Sequence, residues 1–250
     1  MPFVNTELFY KLVCNQLGVV VVAPKIDLAN LAELKVAGEF KLVIVVVEEH
    51  NAEKHSELLD KMFRLRSRIF HDQLRWDVRV TNGEERDRYD DEKPVYIIYT
   101  DDRRCEVKGS LRLLPTTGPT LLADFFSDTV PNGARLAAPT IWECTRFCLD
   151  ENLLNKLRED VQFASTVLII ALGELAMRSG IESIIGNFDA SMLRLYRRIG
   201  CEVDILGRTT KYGETIYLGM HPISEEVVQR IRKKLERMST AFAEARMAVA

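Results

Sequence analysis

From residue 41 onward the chain alternates between two hydrophobic rhythms. Leu42–Val47 is a β-branched run bounded by polar sequence, the pattern of a strand buried on both faces. Glu48 to Lys54 is polar, and from about Ala52 to Phe70 the apolar positions Leu59, Met62, Phe63 and Phe70 share one helical stripe. A loop dense in charge follows between Arg75 and Lys93, with Asn82-Gly83 as a turn signal. Strands are predicted over Val95–Thr100, Val107–Leu114 and Ile141–Leu149, the last two joined by a connection rich in proline and glycine. A helix is predicted from about Lys156 to Ser179, where Gly180 is a suitable residue to end it. Ile181–Phe188 reads as a strand, and Asp189 caps a helix that stops at Gly200. Strands at Cys201–Leu206 and Thr215–Met220 pair through a turn at Lys211–Gly213, and Ser224 opens a basic amphipathic helix. Strands and helices alternating around one sheet predict an α/β domain with a mixed, twisted sheet. The antiparallel neighbours exclude a purely parallel, doubly wound one.

Composition narrows the class. The 250 residues are 47% hydrophobic and 28% charged, as in a globular protein able to bury a sizeable core. The 34 basic residues against 37 acidic ones leave a net charge of −3, so a nucleic-acid partner is not expected. No membrane span is expected, since no run reaches the ~20 apolar residues a bilayer requires. Leu17–Ala23 is too short and lacks a basic flank for a signal peptide, so a cytoplasmic location is expected. Cys14, Cys105, Cys144, Cys148 and Cys201 have neither paired nor zinc-binding spacing; they read as small buried hydrophobes, and no metal is expected. Residues 1–39 read as an N-terminal extension of unknown role, 40–222 as the main domain and 223–250 as a C-terminal basic amphipathic helix.

The informative residues are polar ones where apolar ones belong. Arg66 lies on the apolar stripe of its predicted helix, four residues from both Met62 and Phe70. Arg112 sits inside the strand Gly109–Leu114, and Glu143 and Arg146 interrupt Ile141–Phe147. A buried guanidinium is very costly without an anionic partner; Asp87 and Asp90, three apart in the charged loop, read on their own as solvated turn residues. The pattern fits either a mutual ion-pair network or a polar pocket for a zwitterion. In a regular strand, residues three apart point to opposite faces, so Glu143 and Arg146 can share a pocket only through a bulge.

The run Arg66-x3-Phe70-x5-Trp76, followed by Asn82-Gly83-x-Glu85-Arg86-Asp87-x2-Asp90, resembles the N-terminal signature of the acyl-homoserine-lactone synthases, the LuxI-type autoinducer synthases. Leu111–Pro119 and Trp142–Phe147 resemble the next two blocks of that family. Eight positions carry the resemblance: Arg66, Phe70, Trp76, Asp87, Asp90, Arg112, Glu143 and Arg146. It implies a three-layer α/β/α sandwich similar to the GNAT acyltransferases. The glycine-containing phosphate loop of acetyl-CoA enzymes is missing, because Leu149–Leu154 holds no glycine.

The resemblance further implies synthesis of an N-acyl-L-homoserine lactone from S-adenosyl-L-methionine, as substrate and not resident cofactor, with an acyl carrier protein or acyl-CoA as donor. Glu143 is then the base, with Arg146 and Arg112 as catalytic partners. Arg66, Phe70, Trp76, Asp87 and Asp90 bind the sulfonium substrate and order the loop over it. Trp142, Phe147, Leu168, Leu172, Ile184, Gly186 and Phe188 line the acyl tunnel. Many relatives that favour 3-oxo chains carry threonine near the position of Gly186, so the glycine argues against that preference. Arg194, Arg197 and Arg198 form a basic docking patch for an acidic carrier. A CoA-dependent N-acyltransferase acting on another amine, or a binding-only relative, are the alternatives.

Overall fold

The computed structural model describes residues 34–35, 41–101, 103–132, 134, 136–157 and 159–247. The extension expected over 1–39 lies outside the described residues, Cys14 included, apart from the two-residue strand β1 (Leu34–Lys35). In chain order there follow β2 (Lys41–Val47), α1 (Ser56–Arg66), β3 (Val80–Thr81), β4 (Glu84–Glu85), β5 (Val95–Thr100) and β6 (Val107–Pro115). Next come α2 (Leu121–Asp124), β7 (Ile141–Leu149), α3 (Glu151–Leu157), α4 (Val161–Arg178) and β8 (Ser183–Phe188). The chain then forms α5 (Ala190–Ile199), β9 (Asp204–Thr209), β10 (Ile216–Pro222) and α6 (Glu225–Met247).

The main sheet has the order β1-β2-β5-β6-β7-β8-β10-β9, with β3 and β4 as a separate small ribbon. Among the described residues, only β7 and β8 run parallel; the other neighbours in the main sheet are antiparallel. Side chains alternate between faces along each strand. On one face Val45, Val47, Tyr96 and Ile98 pack against Leu58, Met62, Phe63 and Leu65 of α1. On the other, Ile44, Ile97, Leu111 and Leu113 pack with Leu168 of α4 and with Val227, Ile231 and Leu235 of α6. The result is the expected α/β/α sandwich. Helix α6, the amphipathic helix expected to open at Ser224, is part of its core, because its apolar face lies on α4.

Four local departures from the sequence-based expectation have identifiable causes. The helix expected over 52–70 is α-helical only from Ser56 to Arg66 and continues as a π-helix over Ser67–Gln73, where the Leu74 N–H reaches the Ile69 carbonyl at 2.9 Å. The helix expected from Lys156 is two helices, because the Asp160 side chain caps α4 by accepting the Phe163 N–H at 3.1 Å. β9 begins at Asp204 and not at Cys201: Gly200 takes φ +90° and the Cys201 N–H turns back to the Tyr196 carbonyl at 2.9 Å, closing α5. Finally, the 18 residues of α4 are apolar enough to cross a membrane by composition, but 72% of that stretch is buried inside the protein as its central core helix.

Candidate active site

The π-helical turn after α1 carries Phe70, buried and stacked on Trp76 with ring centroids 5.0 Å apart and an interplanar angle of 19°. π-Turns recur at functional sites because the extra residue re-aims the side chains beyond it. One turn earlier, Arg66 is buried to 1% exposure. Its Nε donates to Glu85 at 2.5 Å, and Nη1 and Nη2 donate to the two oxygens of Asp90 at 2.8 and 3.0 Å. Arg112, fully buried on β6, donates through Nη1 and Nη2 to the two oxygens of Asp87 at 2.6 and 3.0 Å. Its Nη1 also reaches Asp90 at 2.7 Å, and its Nε reaches the Thr145 hydroxyl at 3.0 Å. Arg146 closes the set, with Nη2 at 2.9 Å from Glu85 and 2.8 Å from Asp87. Three guanidiniums thus share three carboxylates. Burial works against the charge of Asp90, yet Arg66 and Arg112 hold its carboxyl well below the usual carboxylate range.

A bulge brings Arg146 into this cluster. Arg112 pairs with Thr145 and Ser110 with Cys148, so β7 carries one residue more than β6 between the two pairs. Arg146 takes φ +54° there, a conformation costly for a residue with a Cβ, on the order of 1–3 kcal/mol. The extra residue turns Arg146 to the same face as Arg112 and Glu143, which the unbroken strand would have prevented.

β7 also parts from β8. The two are paired only from Ile141–Glu143 against Ser183–Ile185, and beyond that point the strands diverge. A cavity of about 960 Å³ occupies the gap and reaches both faces of the sheet. Glu85, Asp87, Arg146, Phe70 and Trp76 border it on the α1 side. Phe147, Leu172, Ile184, Gly186 and Phe188 border it on the α4 side, five of the seven residues expected for the acyl tunnel. The other two do not: Leu168 is wholly inside the core, and Trp142 packs at the core's margin with its Nε1–H on the Pro139 carbonyl at 3.2 Å.

Of the three arginines, Arg146 alone borders the cavity; Arg66, Arg112 and Asp90 stand behind it as the frame that fixes Arg146, Glu85 and Asp87. Glu143 does not border the cavity either. Its carboxylate accepts the Leu122 N–H at 2.7 Å and the Leu121 N–H at 2.9 Å, tying β7 to the start of α2. Burial pushes its carboxyl up to about 7, although the two N–H groups and Arg112 pull the other way. Its neighbours Cys144 and Thr145, and Leu121 across from it, do border the cavity. The 121–126 segment over the site is tied further by Tyr89, whose hydroxyl donates to Asp124 at 2.6 Å, and by Tyr212, whose hydroxyl donates to the Phe125 carbonyl at 2.7 Å.

Sequence reasoning passed over Glu85, which is completely buried and bonded to two of the three arginines. The available signal was its place two residues before Asp87 and two after Gly83 of the Asn82-Gly83 turn. It also passed over Tyr96, whose hydroxyl donates to Asp90 at 2.7 Å, and over the contribution of α6 to the cavity wall. The four described cysteines are free; Cys105 is exposed in the turn after β5, against expectation, while burial pushes the Cys144 and Cys201 thiols at the cavity up to about 12. Arg194, Arg197 and Arg198 are exposed on α5. Among the described residues no cluster of histidine, cysteine and acidic side chains is arranged to hold a metal ion.

Among solved structures, TofI in complex with an inhibitor and MTA is 26% identical, with a TM-score of 0.63 over 76% of this chain and 96% of that one. BjaI, described as a CoA-dependent acyl-homoserine lactone synthase and bound to MTA, is 25% identical with a TM-score of 0.69, over 77% and 88%. An acyl-homoserine-lactone synthase of Rhizobium etli is 38% identical over 180 residues, 72% of this chain and 84% of the relative. One of Agrobacterium fabrum is 36% identical over 175 residues, 69% and 82%. The profile described as autoinducer synthase matches residues 49–231, which takes in every member of the ionic wall, and the chain therefore belongs to the autoinducer synthase family.

Proposed function

We infer that the protein makes an N-acyl-L-homoserine lactone, a quorum-sensing signal, from S-adenosyl-L-methionine and an acyl thioester. The observation that carries this is the single cavity joining a charged, aromatic half to an apolar half through the gap between β7 and β8. A zwitterionic sulfonium and a fatty chain require those two environments within reach of one reacting carbonyl.

The reaction has two steps. The methionyl amine attacks the thioester carbonyl, the C–S bond breaks, the thiol carrier leaves and the nitrogen gives up a proton. A carboxylate oxygen of the resulting amide then attacks the carbon attached to the sulfonium, that C–S bond breaks, the lactone closes and methylthioadenosine departs as a neutral thioether. The second step needs mainly the right conformer, since the leaving group is already activated and the attack is intramolecular.

Arg146 is assigned to the substrate carboxylate: it borders the cavity, and its Nη1 makes no bond to Glu85, Asp87 or Asp90. The Phe70–Trp76 stack offers aromatic surface to adenine and sulfonium. Glu143 is assigned as proton acceptor through a water, supported by a carboxyl near 7 set one residue behind the cavity wall. Arg66, Arg112 and Asp90 act by positioning. The donor is an acyl carrier protein or an acyl-CoA, and the exposed arginines of α5 suit the acidic carrier. The reaction is placed in the cytoplasm, where both substrates are made. All these groups fall between Arg66 and Arg198, so the synthase unit is assigned to 40–222 together with α6.

The test is incubation of the purified protein with S-adenosylmethionine and a series of acyl-CoA and acyl-carrier thioesters. Methylthioadenosine and lactone are expected in equal amounts. Thiol release on another amine with no methylthioadenosine would replace this reading by that of a plain N-acyltransferase.

A further inference from the structure

The apolar half of the cavity has a wall that the tunnel residues on β7, β8 and α4 do not supply. Val227, Val228 and Ile231 of α6 border it, and each is nearly or fully buried. Helix α6 is brought there by Gly173 on α4: a Cβ at that position would lie 2.8 Å from Val228 Cγ2, closer than real Cβ atoms approach. The two helices are therefore packed almost backbone to side chain, with no room for a larger residue between them.

The helix is also held from both sides. Arg232 pairs with Glu174 of α4. Arg230 donates to Glu202 at 2.7 Å and to the Gly200 carbonyl at 3.3 Å, beside α5. Lys234 donates to the Arg198 carbonyl. A surface clamped in this way meets an incoming acyl chain as a fixed stop, not as a yielding flap.

We propose that α6, chiefly through Val228 with Ile231 beside it, ends the acyl chamber and sets the longest chain the enzyme accepts. The inference rests on the reaction proposed above and adds a specificity-determining residue to it. A chain entering through the gap between β7 and β8 runs along Leu172 and meets the Val228 side chain in the helical layer. Trimming that side chain opens space for more methylenes. Enlarging it removes the space that the longest accepted chain occupies.

The experiment measures kcat/KM of the wild type, Val228→Ala, Val228→Phe and Leu235→Ala with thioesters of increasing length, reading methylthioadenosine release and lactone mass. One methylene in a hydrophobic pocket is worth ~10-fold or more in discrimination. For a donor two carbons beyond the wild-type limit, the ratio to the best wild-type donor is expected to rise about tenfold in Val228→Ala. In Val228→Phe the limit shifts to shorter chains. Leu235 is buried in the same helix–sheet core but away from the cavity, so Leu235→Ala lowers the melting temperature and leaves the length profile as in the wild type. An active, folded Val228→Ala with an unchanged profile overturns the stop, and so does a shift of equal size in Leu235→Ala. A wild type that releases no methylthioadenosine with any donor overturns the reaction and the stop with it, whereas the first two outcomes leave the reaction standing.

Discussion

On the α1 side of the sheet the cavity is backed by three arginines and three acids, each bonded to at least two of the others. On the α4 side it is backed by aliphatic and aromatic side chains, with glycines at positions 173 and 186. The two walls respond differently to change. Removing one partner from a buried ionic set leaves a charge with no compensation, at a cost of about 3–5 kcal/mol. Removing a methyl group from an apolar wall costs about 0.5–1.5 kcal/mol and leaves a slightly larger chamber. The ionic wall therefore tolerates almost no substitution, while the apolar wall can be resized step by step. An enzyme that must hold one invariant sulfonium substrate and choose among chains of many lengths gains from having one wall of each kind.

The largest effect that would break this contrast concerns the buried set. Glu85→Gln and Arg66→Met are each expected to lower stability by about 3–5 kcal/mol, read as a shift in the urea midpoint with an unchanged slope. The double variant Arg66→Met, Glu85→Leu should recover part of that loss, because no orphan charge remains between those two. A cost below ~1 kcal/mol for either single variant would mean that the six groups do not act as a unit.

The next effect separates chemistry from framework. Glu143→Gln keeps the shape of the side chain but cannot take a proton, so acyl transfer is expected to slow ~10²–10⁴-fold with little change in S-adenosylmethionine affinity. Burial raises the folded-state carboxyl to about 7, above its unfolded value. Stability is therefore highest in acid, falls as pH rises from about 4.5 to about 7 and levels off above that, while the rate, which requires the ionised form, climbs as pH passes through about 7. Both trends should vanish in the glutamine variant. Equal losses of rate and affinity, with no change in the pH profiles, would assign Glu143 only to anchoring α2.

The smallest effect lies on the surface. Replacing Arg194, Arg197 and Arg198 by alanine is expected to lower kcat/KM with an acyl-carrier donor ~5–10-fold at low salt, less at high salt, and to leave an acyl-CoA donor unaffected. Equal loss with both donors would place those residues in support of the fold.

Much of the ionic wall was legible from the chain because its arginines are charged residues within apolar patterns: Arg66 on a helical stripe, Arg112 and Arg146 in strands. Such residues need partners, and it was the family resemblance that pointed to Asp87 and Asp90. Glu85 was given no role because it lies in a stretch of sequence already dense in charge, where one more acid breaks no pattern. The apolar wall was less legible. Leu168 and Leu172 are one helical turn apart and chemically identical, yet one is sealed in the core and the other borders the cavity. Nothing in local periodicity tells a residue facing a void from one facing a packed neighbour.

Local pattern determined the order of strands and helices, the charged residues bound to be buried, and the turn and cap positions, since these depend on neighbours within a few residues. The tertiary structure decided the bulge that turns Arg146 toward Arg112, the parting of β7 from β8 that opens the cavity, and the docking of α6 against Gly173 that bounds it. Each of those depends on how segments far apart in sequence compete for the same space, and close packing resolves that competition only when the whole chain is present.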